Sequence, residues 1–171
     1  MLVPGWKPPK KIEMKKITAV LWFDSEAEQA AKFYVGIFKN SKIERITHYG
    51  ENGPRPNGSV MTVEFTLDRV EFLALNGGPQ FKFTEAISLS VNCETQDEID
   101  YFWEKLSADG GSTGRCGWLK DKFGFSWQVN PAILRDLLAD RDADKAQRVM
   151  QAMLKMDKLD IANLNRAYQG N

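Results

Sequence analysis

Cys116-Gly-Trp-Leu-Lys-Asp-Lys-Phe-Gly-Phe-Ser-Trp-Gln-Val-Asn-Pro131 packs two Trp, two Phe, a Cys, a Gln and a Lys-Asp-Lys run into one short stretch. It reads as two short strands around a polar turn at Lys120 to Lys122, closed by Gly124. Strands that mix aromatic bodies with polar tips line pockets as well as cores. On the last strand the two-residue period sets Ser126 and Gln128 on one face and Phe125 and Trp127 on the other. That strand carries no His and no carboxylate.

The elements before this stretch have a definite order. Ile87 to Val91 reads as a strand, and Thr95-Gln96-Asp97-Glu98 matches a capping box that opens a helix to about Ala108. Ile99, Phe102, Trp103 and Leu106 give that helix an apolar face, and Gly110-Gly111 ends it. Short strands near Ser112 to Leu119 and Phe125 to Asn130 complete the unit.

An earlier copy of this order begins at Ile17. Ile17 to Phe23 is a β-branched and aromatic strand, and Ser25-Glu26-Ala27-Glu28 is a second capping box. A helix to about Phe38 follows, with Ala27, Ala30, Ala31, Tyr34 and Phe38 at helical spacing. Strands at Ile43 to Tyr49, Ser59 to Leu67 and Val70 to Asn76 come next. In the middle one Met61, Val63, Phe65 and Leu67 alternate with Thr62, Glu64 and Thr66. Gly50 to Gly58, with Arg55 in it, is a loop whose composition suits covering a ligand.

Two boxes, each after a strand and before an aromatic-bearing helix, make a repeated βαβββ unit the reading of the chain. The expected class is α+β: two βαβββ modules forming a curled mixed sheet, with C-terminal helices added. Module one spans about 16–78, module two about 84–131, and the helices about 132–168, within one domain over 16–168. Residues 1–15 read as a basic, flexible tail. Ala146, Val149, Met150, Met153 and Leu154 form an apolar stripe late in the chain, suited to covering a sheet edge or holding a dimer.

Composition narrows the function. The 23 basic and 23 acidic residues of the 171 cancel, so no nucleic-acid partner is expected. No membrane span and no secretory signal are read, and two cysteines, Cys93 and Cys116, suit a reducing cytoplasm. The single His, His48, sits at a strand end and leaves no imidazole cluster for a metal.

Trp22-Phe23-Asp24, Phe33-Tyr34, Asp97 to Trp103, Cys116 to Gln128 and Ala152 to Met156 together resemble the PhnB-like branch of the vicinal oxygen chelate superfamily. This branch carries the label 3-demethylubiquinone-9 3-methyltransferase and is related to glyoxalase I and the bleomycin-resistance proteins. The resemblance covers about Lys16 to Ala167. It implies paired βαβββ modules curled around a small-molecule pocket, usually in homodimers. In metal-dependent relatives four strand residues, mostly His and Glu, hold a divalent cation. The resemblance sets those positions at Ala19, among Leu73 to Asn76, at Ser88 and at Gln128. These residue types are poor ligands, so no metal and no cofactor are expected. A methyltransferase would need a nucleotide-like cofactor, and the chain shows no Gly-rich strand-to-helix loop for one.

The expected ligand pocket is Trp22, Ser88, Trp118, Trp127 and Gln128. Candidate catalytic groups are Gln128, Cys116, Asp24 and Glu64; each also has a plain structural reading. Cys116 would need a cationic setting from Lys120 and Lys122 to act as a nucleophile, and an inert thiol is the favoured reading. Lys120-Asp121 reads as a turn ion pair. The favoured function is a cytoplasmic, homodimeric, metal-free protein that binds a small molecule. The alternatives are an enzyme acting without tightly bound metal and a structural subunit with a vestigial pocket.

Overall fold

A computed structural model describes residues 16–171; the tail expected over 1–15 lies outside them. Module one runs β1 (Ala19–Phe23), α1 (Ala27–Ile37), β2 (Lys42–His48), β3 (Val60–Leu67) and β4 (Val70–Asn76). Its sheet has the order β1-β4-β3-β2, with β1 parallel to β4 and the other pairs antiparallel. Module two repeats this with β5 (Leu89–Cys93), α2 (Gln96–Ser107), β6 (Ser112–Thr113), β7 (Trp118–Lys120) and β8 (Ser126–Pro131). Its order is β5-β8-β7-β6, again with one parallel pair, β5 and β8. The protein is therefore a mixed α+β fold with two four-stranded mixed sheets, as the duplication predicts.

Strand alternation decides which face each helix covers. Val63, Phe65 and Leu67 on β3, Phe72 and Ala74 on β4, and Trp127 and Val129 on β8 are buried toward the helices. The intervening residues face away. The two helix-side faces share one core, in which Leu21, Phe23 and Tyr34 of module one join Val91, Leu106 and Trp127 of module two. α1 lies at the junction. Tyr34 stacks on Phe65 at 6.3 Å between ring centroids and meets Trp127 at 5.4 Å. Phe38 stacks on both Trp127 (5.4 Å) and Phe102 (5.0 Å).

The two capping boxes behave differently. Thr95 caps α2, its hydroxyl accepting from the Glu98 N–H at 3.2 Å, while the Glu98 carboxylate accepts from the Glu94 N–H at 2.8 Å. Ser25 caps nothing. α1 starts after Glu26, which makes no side-chain cap, and the Ala27 N–H instead donates to Asn76 Oδ1 at 2.8 Å. The parallel pairing of β1 with β4 sets Asn76 beside Phe23, just ahead of the helix. Asn76 also donates from Nδ2 to the Val60 carbonyl at 3.0 Å, and its own carbonyl accepts from the Tyr49 hydroxyl at 2.7 Å. Asn76→Leu leaves a buried N–H and a carbonyl without partners, so it is expected to cost about 2–3 kcal/mol in urea denaturation. Thr95→Ala should cost about 1 kcal/mol, and Ser25→Ala less than about 0.5. Equal losses at Ser25 and Asn76 would refute this assignment of the cap.

Three helices follow module two: α3 (Leu134–Leu138), α4 (Ala143–Met153) and α5 (Ile161–Gln169). They build a second small core from Leu134, Leu137, Val149, Leu159 and Leu164. This core docks on one end of module two. The Cys116 N–H donates to the Met156 carbonyl (2.8 Å) and the Gly117 N–H to the Asp157 carbonyl (2.7 Å). Gln96 bridges from the start of α2, donating to the Leu159 carbonyl (3.2 Å) and accepting from the Ile161 N–H (3.0 Å). Of the predicted stripe, Val149 is buried and Met153 packs on this core, while Met150 and Leu154 stay exposed.

Candidate functional site

Each sheet turns one face away from the helices, and the two open faces differ in chemistry. On module two, Gln128 Nε2 donates to the Ser88 hydroxyl at 2.9 Å and Asn130 Nδ2 to the Ser90 hydroxyl at 3.1 Å. These bonds join β8 to β5 and to Ser88 just before it in a polar ladder. The corresponding register in module one pairs Val20 with Leu73, where module two pairs Ser90 with Gln128. Module one is thus apolar where module two is polar.

A cavity of about 460 Å³ opens on the module-two face against β7, lined by Trp118, Lys120, Arg115, Ser112, Ser126 and Glu85, among others. A wider groove of about 760 Å³ runs between module one and the β7–β8 turn, with Trp22, Asp24, Phe81 and Lys122 along it. Trp22 is fixed there by its Nε1–H, which donates to the Gly78 carbonyl at 2.8 Å, and by an edge contact with Phe81.

The five expected pocket residues therefore do not meet at one point. Trp118 lines the cavity, Ser88 and Gln128 lie on the open face, and Trp22 sits in the groove. Trp127 is a correction: it is only 2% exposed and points into the shared core. The period-two rule separates it from Gln128, and α1 and α2 cover its side of the sheet.

The catalytic candidates are each engaged. Asp24 accepts from Arg55, whose guanidinium also binds the Asp24 carbonyl at 2.6 Å and so ties the Gly50 to Gly58 loop down. Glu64 pairs with Arg45 across β2 and β3. The Cys116 thiol points to the Met153 carbonyl at 3.6 Å. Burial, reinforced by Glu98 and Glu94, pushes the other thiol, Cys93, up to about 12.

The predicted Lys120-Asp121 ion pair is also corrected. Lys120 pairs with Glu85, and Lys122 with Asp109 at 3.4 Å. Asp121 turns inward, 2% exposed, and accepts four hydrogen bonds. They come from the Tyr34 hydroxyl (2.8 Å), Trp127 Nε1 (2.8 Å), and the Phe123 (2.9 Å) and Phe125 (3.1 Å) N–H groups. Burial raises its pKa, and these bonds work against that shift. A Lys on either side hid this role in the sequence; only the Trp127 spacing, six residues on, hinted at it.

The superfamily's divalent cation does not fit these residues. Ala19 lies on the helix-side parity of β1 with Leu21 and Phe23, Leu73 and Leu75 are apolar, and Asn76 is committed to α1. Ser88 and Gln128 bond to each other. Among the described residues no group of three or more His, Cys, Asp or Glu could hold a metal ion. Nor is any described helix long and apolar enough to cross a membrane.

A family model described as 3-demethylubiquinone-9 3-methyltransferase matches residues 15–130, more than half of the chain. The chain belongs to this family. Its solved relatives include a PhnB protein from Bacillus cereus provisionally labelled 3-demethylubiquinone-9 3-methyltransferase. That protein is 40% identical, with a TM-score of 0.62 over 67% of this chain and 98% of its own. Protein PA1353 from Pseudomonas aeruginosa is 20% identical, with a TM-score of 0.57 over 69% of this chain and 98% of its own. The fosfomycin resistance protein FosX from Mesorhizobium loti shares the fold at 13% identity, with a TM-score of 0.52 over 74% of this chain and all of its own. No curated protein matches. The family match ends inside β8, so α3, α4 and α5, with the Ala152 to Met156 stretch, lie outside the matched residues.

Proposed function

We propose that the chain is a small-molecule-binding protein that works without a bound metal, as a homodimer in the cytoplasm. The observation that carries this reading is the module-two open face. It holds an open pocket beside Trp118, and the two expected cation positions on it carry Ser88 and Gln128, while Leu73 of module one stands at another. At about 460 Å³, with Trp118 and Leu119 as apolar walls and Lys120, Arg115 and Ser126 among its polar groups, it falls in the size range of ligand sites. The enzyme alternative draws less support, because Asp24, Glu64 and Gln128 are all held in structural contacts.

Homodimerisation is supported by the outer edges. Ile17 and Ile87 precede the edge strands β1 and β5 at equivalent places in the two modules, and are 89% and 59% exposed. Val20 on β1 is exposed beside them. A two-fold arrangement that lays the β1 edge of one chain along the β5 edge of the other would cover both isoleucines and unpaired strand edges.

Two measurements test this. Light scattering of the purified chain should give twice the chain mass, and Ile17→Lys with Ile87→Lys should give monomer. Metal analysis should find less than about 0.1 ion per chain, since neutral Ser and Gln side chains hold divalent transition metals poorly. Stoichiometric metal would overturn the metal-free part, and a wild-type monomer would overturn the dimer.

A further inference from the structure

Ser126 is the anomaly of the site. It is only 1% exposed, and its Oγ is the one buried side-chain polar atom without a hydrogen-bond partner among the described residues. A buried hydroxyl left unpaired is costly, and folded proteins rarely keep one without a use. Ser126 lies on the wall of the Trp118 cavity, directly across the β7–β8 register from Lys120.

The groups around it have one sign in excess. Lys120 and Arg115 line the cavity against one carboxylate, Glu85. Arg115 gives Nη1 to the Leu154 carbonyl at 3.1 Å, which anchors the guanidinium on the C-terminal helices and leaves its other N–H groups available. Lys120 pairs with Glu85, and this pulls the Glu85 carboxyl below its usual range. Glu85 is itself well exposed and sits in a turn outside the sheet. The chain thus already places a carboxylate beside Lys120, on a weak surface pair that an incoming acid can replace. Trp118 offers a flat apolar wall next to these groups, and Ser112 and Thr113 close the far side.

We propose that the Trp118 cavity is a subsite for the acid group of a small, flat, apolar carboxylate. Lys120 pairs with the acid after Glu85 is displaced, Arg115 adds a second cation, and the apolar body lies on Trp118. Ser126, whose hydroxyl is closed to solvent in the unliganded chain, donates to the acid once its side chain turns toward the cavity. This rests on the reading that the module-two open face binds small molecules, and names the chemistry of what it binds.

The test uses the full chain with 2-naphthoate and its neutral counterpart 2-naphthalenemethanol, titrated by calorimetry. Naphthoate should bind at least about tenfold more tightly than the alcohol, as a hydrogen bond to a charged group warrants. Ser126→Ala should weaken naphthoate about tenfold, leave the alcohol unchanged, and raise the melting temperature of the unliganded protein, because it removes an unpartnered hydroxyl. Lys120→Met should weaken naphthoate by more than about tenfold, and Glu85→Gln should strengthen it a few-fold by freeing Lys120. Equal binding of the two probes, or naphthoate binding indifferent to both Ser126→Ala and Lys120→Met, overturns the acid subsite while leaving a small-molecule binder standing. Failure of both probes to bind at millimolar concentration overturns the subsite and the reading beneath it together. A lower melting temperature for unliganded Ser126→Ala shows a purely structural hydroxyl and also overturns the proposal.

Discussion

Asp121→Ala is expected to destabilise the protein by about 4 kcal/mol, the largest loss from any single side chain of module two. The carboxylate accepts from four donors, two on each oxygen, and three of them, the Tyr34 hydroxyl, Trp127 Nε1 and the Phe125 N–H, are buried away from water. Removing it strands the Phe123 and Phe125 N–H groups, which shape the β7–β8 turn. It also strands Trp127 Nε1 and the Tyr34 hydroxyl, which tie that turn to the core. Tyr34 comes from α1 of the other module, so the loss falls on the junction between modules as well as on the turn. Tyr34→Phe removes one donor and leaves the acceptor three others, so it should cost only about 1–2 kcal/mol. Urea denaturation measures both. A loss below about 1 kcal/mol for Asp121→Ala would show that the node is dispensable.

The same carboxyl gives a pH signature with a definite sign. Its pKa is raised above the ordinary value of 3.8, with burial as the leading cause. The folded chain therefore holds this proton to higher pH than the unfolded chain does. The resulting contribution to stability is fully present below 3.8 and is lost as pH rises through the raised value. Asp121→Asn cannot titrate, so the stability gap between wild type and this variant should narrow across that window and stay constant above it. A gap that widens with pH would mean that the four hydrogen bonds outweigh burial.

Asp121 shows where the sequence stops being legible. The strands were readable because alternation is local: Met61 to Leu67 states its own buried face. The helices were readable for the same reason, down to the Thr95 cap. What could not be read was every feature that depends on a residue far along the chain. Ser25 has the same box pattern as Thr95, yet Asn76, forty-nine residues beyond Ala27, takes the cap from it. A Lys-Asp-Lys turn looks solvated until Tyr34, eighty-seven residues earlier, is placed over it. Trp127 was correctly set opposite Gln128 by parity, but parity does not say which face the helices cover. Of the expected pocket residues, Trp118 lines the cavity and Gln128 lies on the same open face, while the unpartnered hydroxyl of Ser126 is a property of packing and has no sequence signal.

Gly117→Ala is expected to cost about 3–4 kcal/mol and to loosen the C-terminal helices. Gly117 has φ of +81°, and a Cβ there would stand 2.6 Å from the Val129 carbonyl oxygen, 3.1 Å from Asn130 Oδ1 and 3.2 Å from Leu159 Cδ1. Its neighbours cannot easily give way. The Gly117 carbonyl accepts from the Val129 N–H at 2.8 Å and its N–H donates to the Asp157 carbonyl at 2.7 Å, so both sides are bonded to it. Gly124 is the control, with φ of +80° and nothing within 4 Å of an added Cβ. Gly124→Ala should show the conformational cost alone, about 1 kcal/mol. The difference between the two variants isolates the contact between β8 and the helices from the backbone strain they share. Because the Cys116 thiol reaches the last residue of α4 and its N–H reaches Met156 in the connection to α5, loosening these helices also uncovers that sulfur. Thiol labelling under native conditions should therefore be several-fold faster at Cys116 in Gly117→Ala than in Gly124→Ala, with Cys93 protected in both. Equal labelling rates would mean that the C-terminal helices hold module two by contacts other than the Cys116–Gly117 turn.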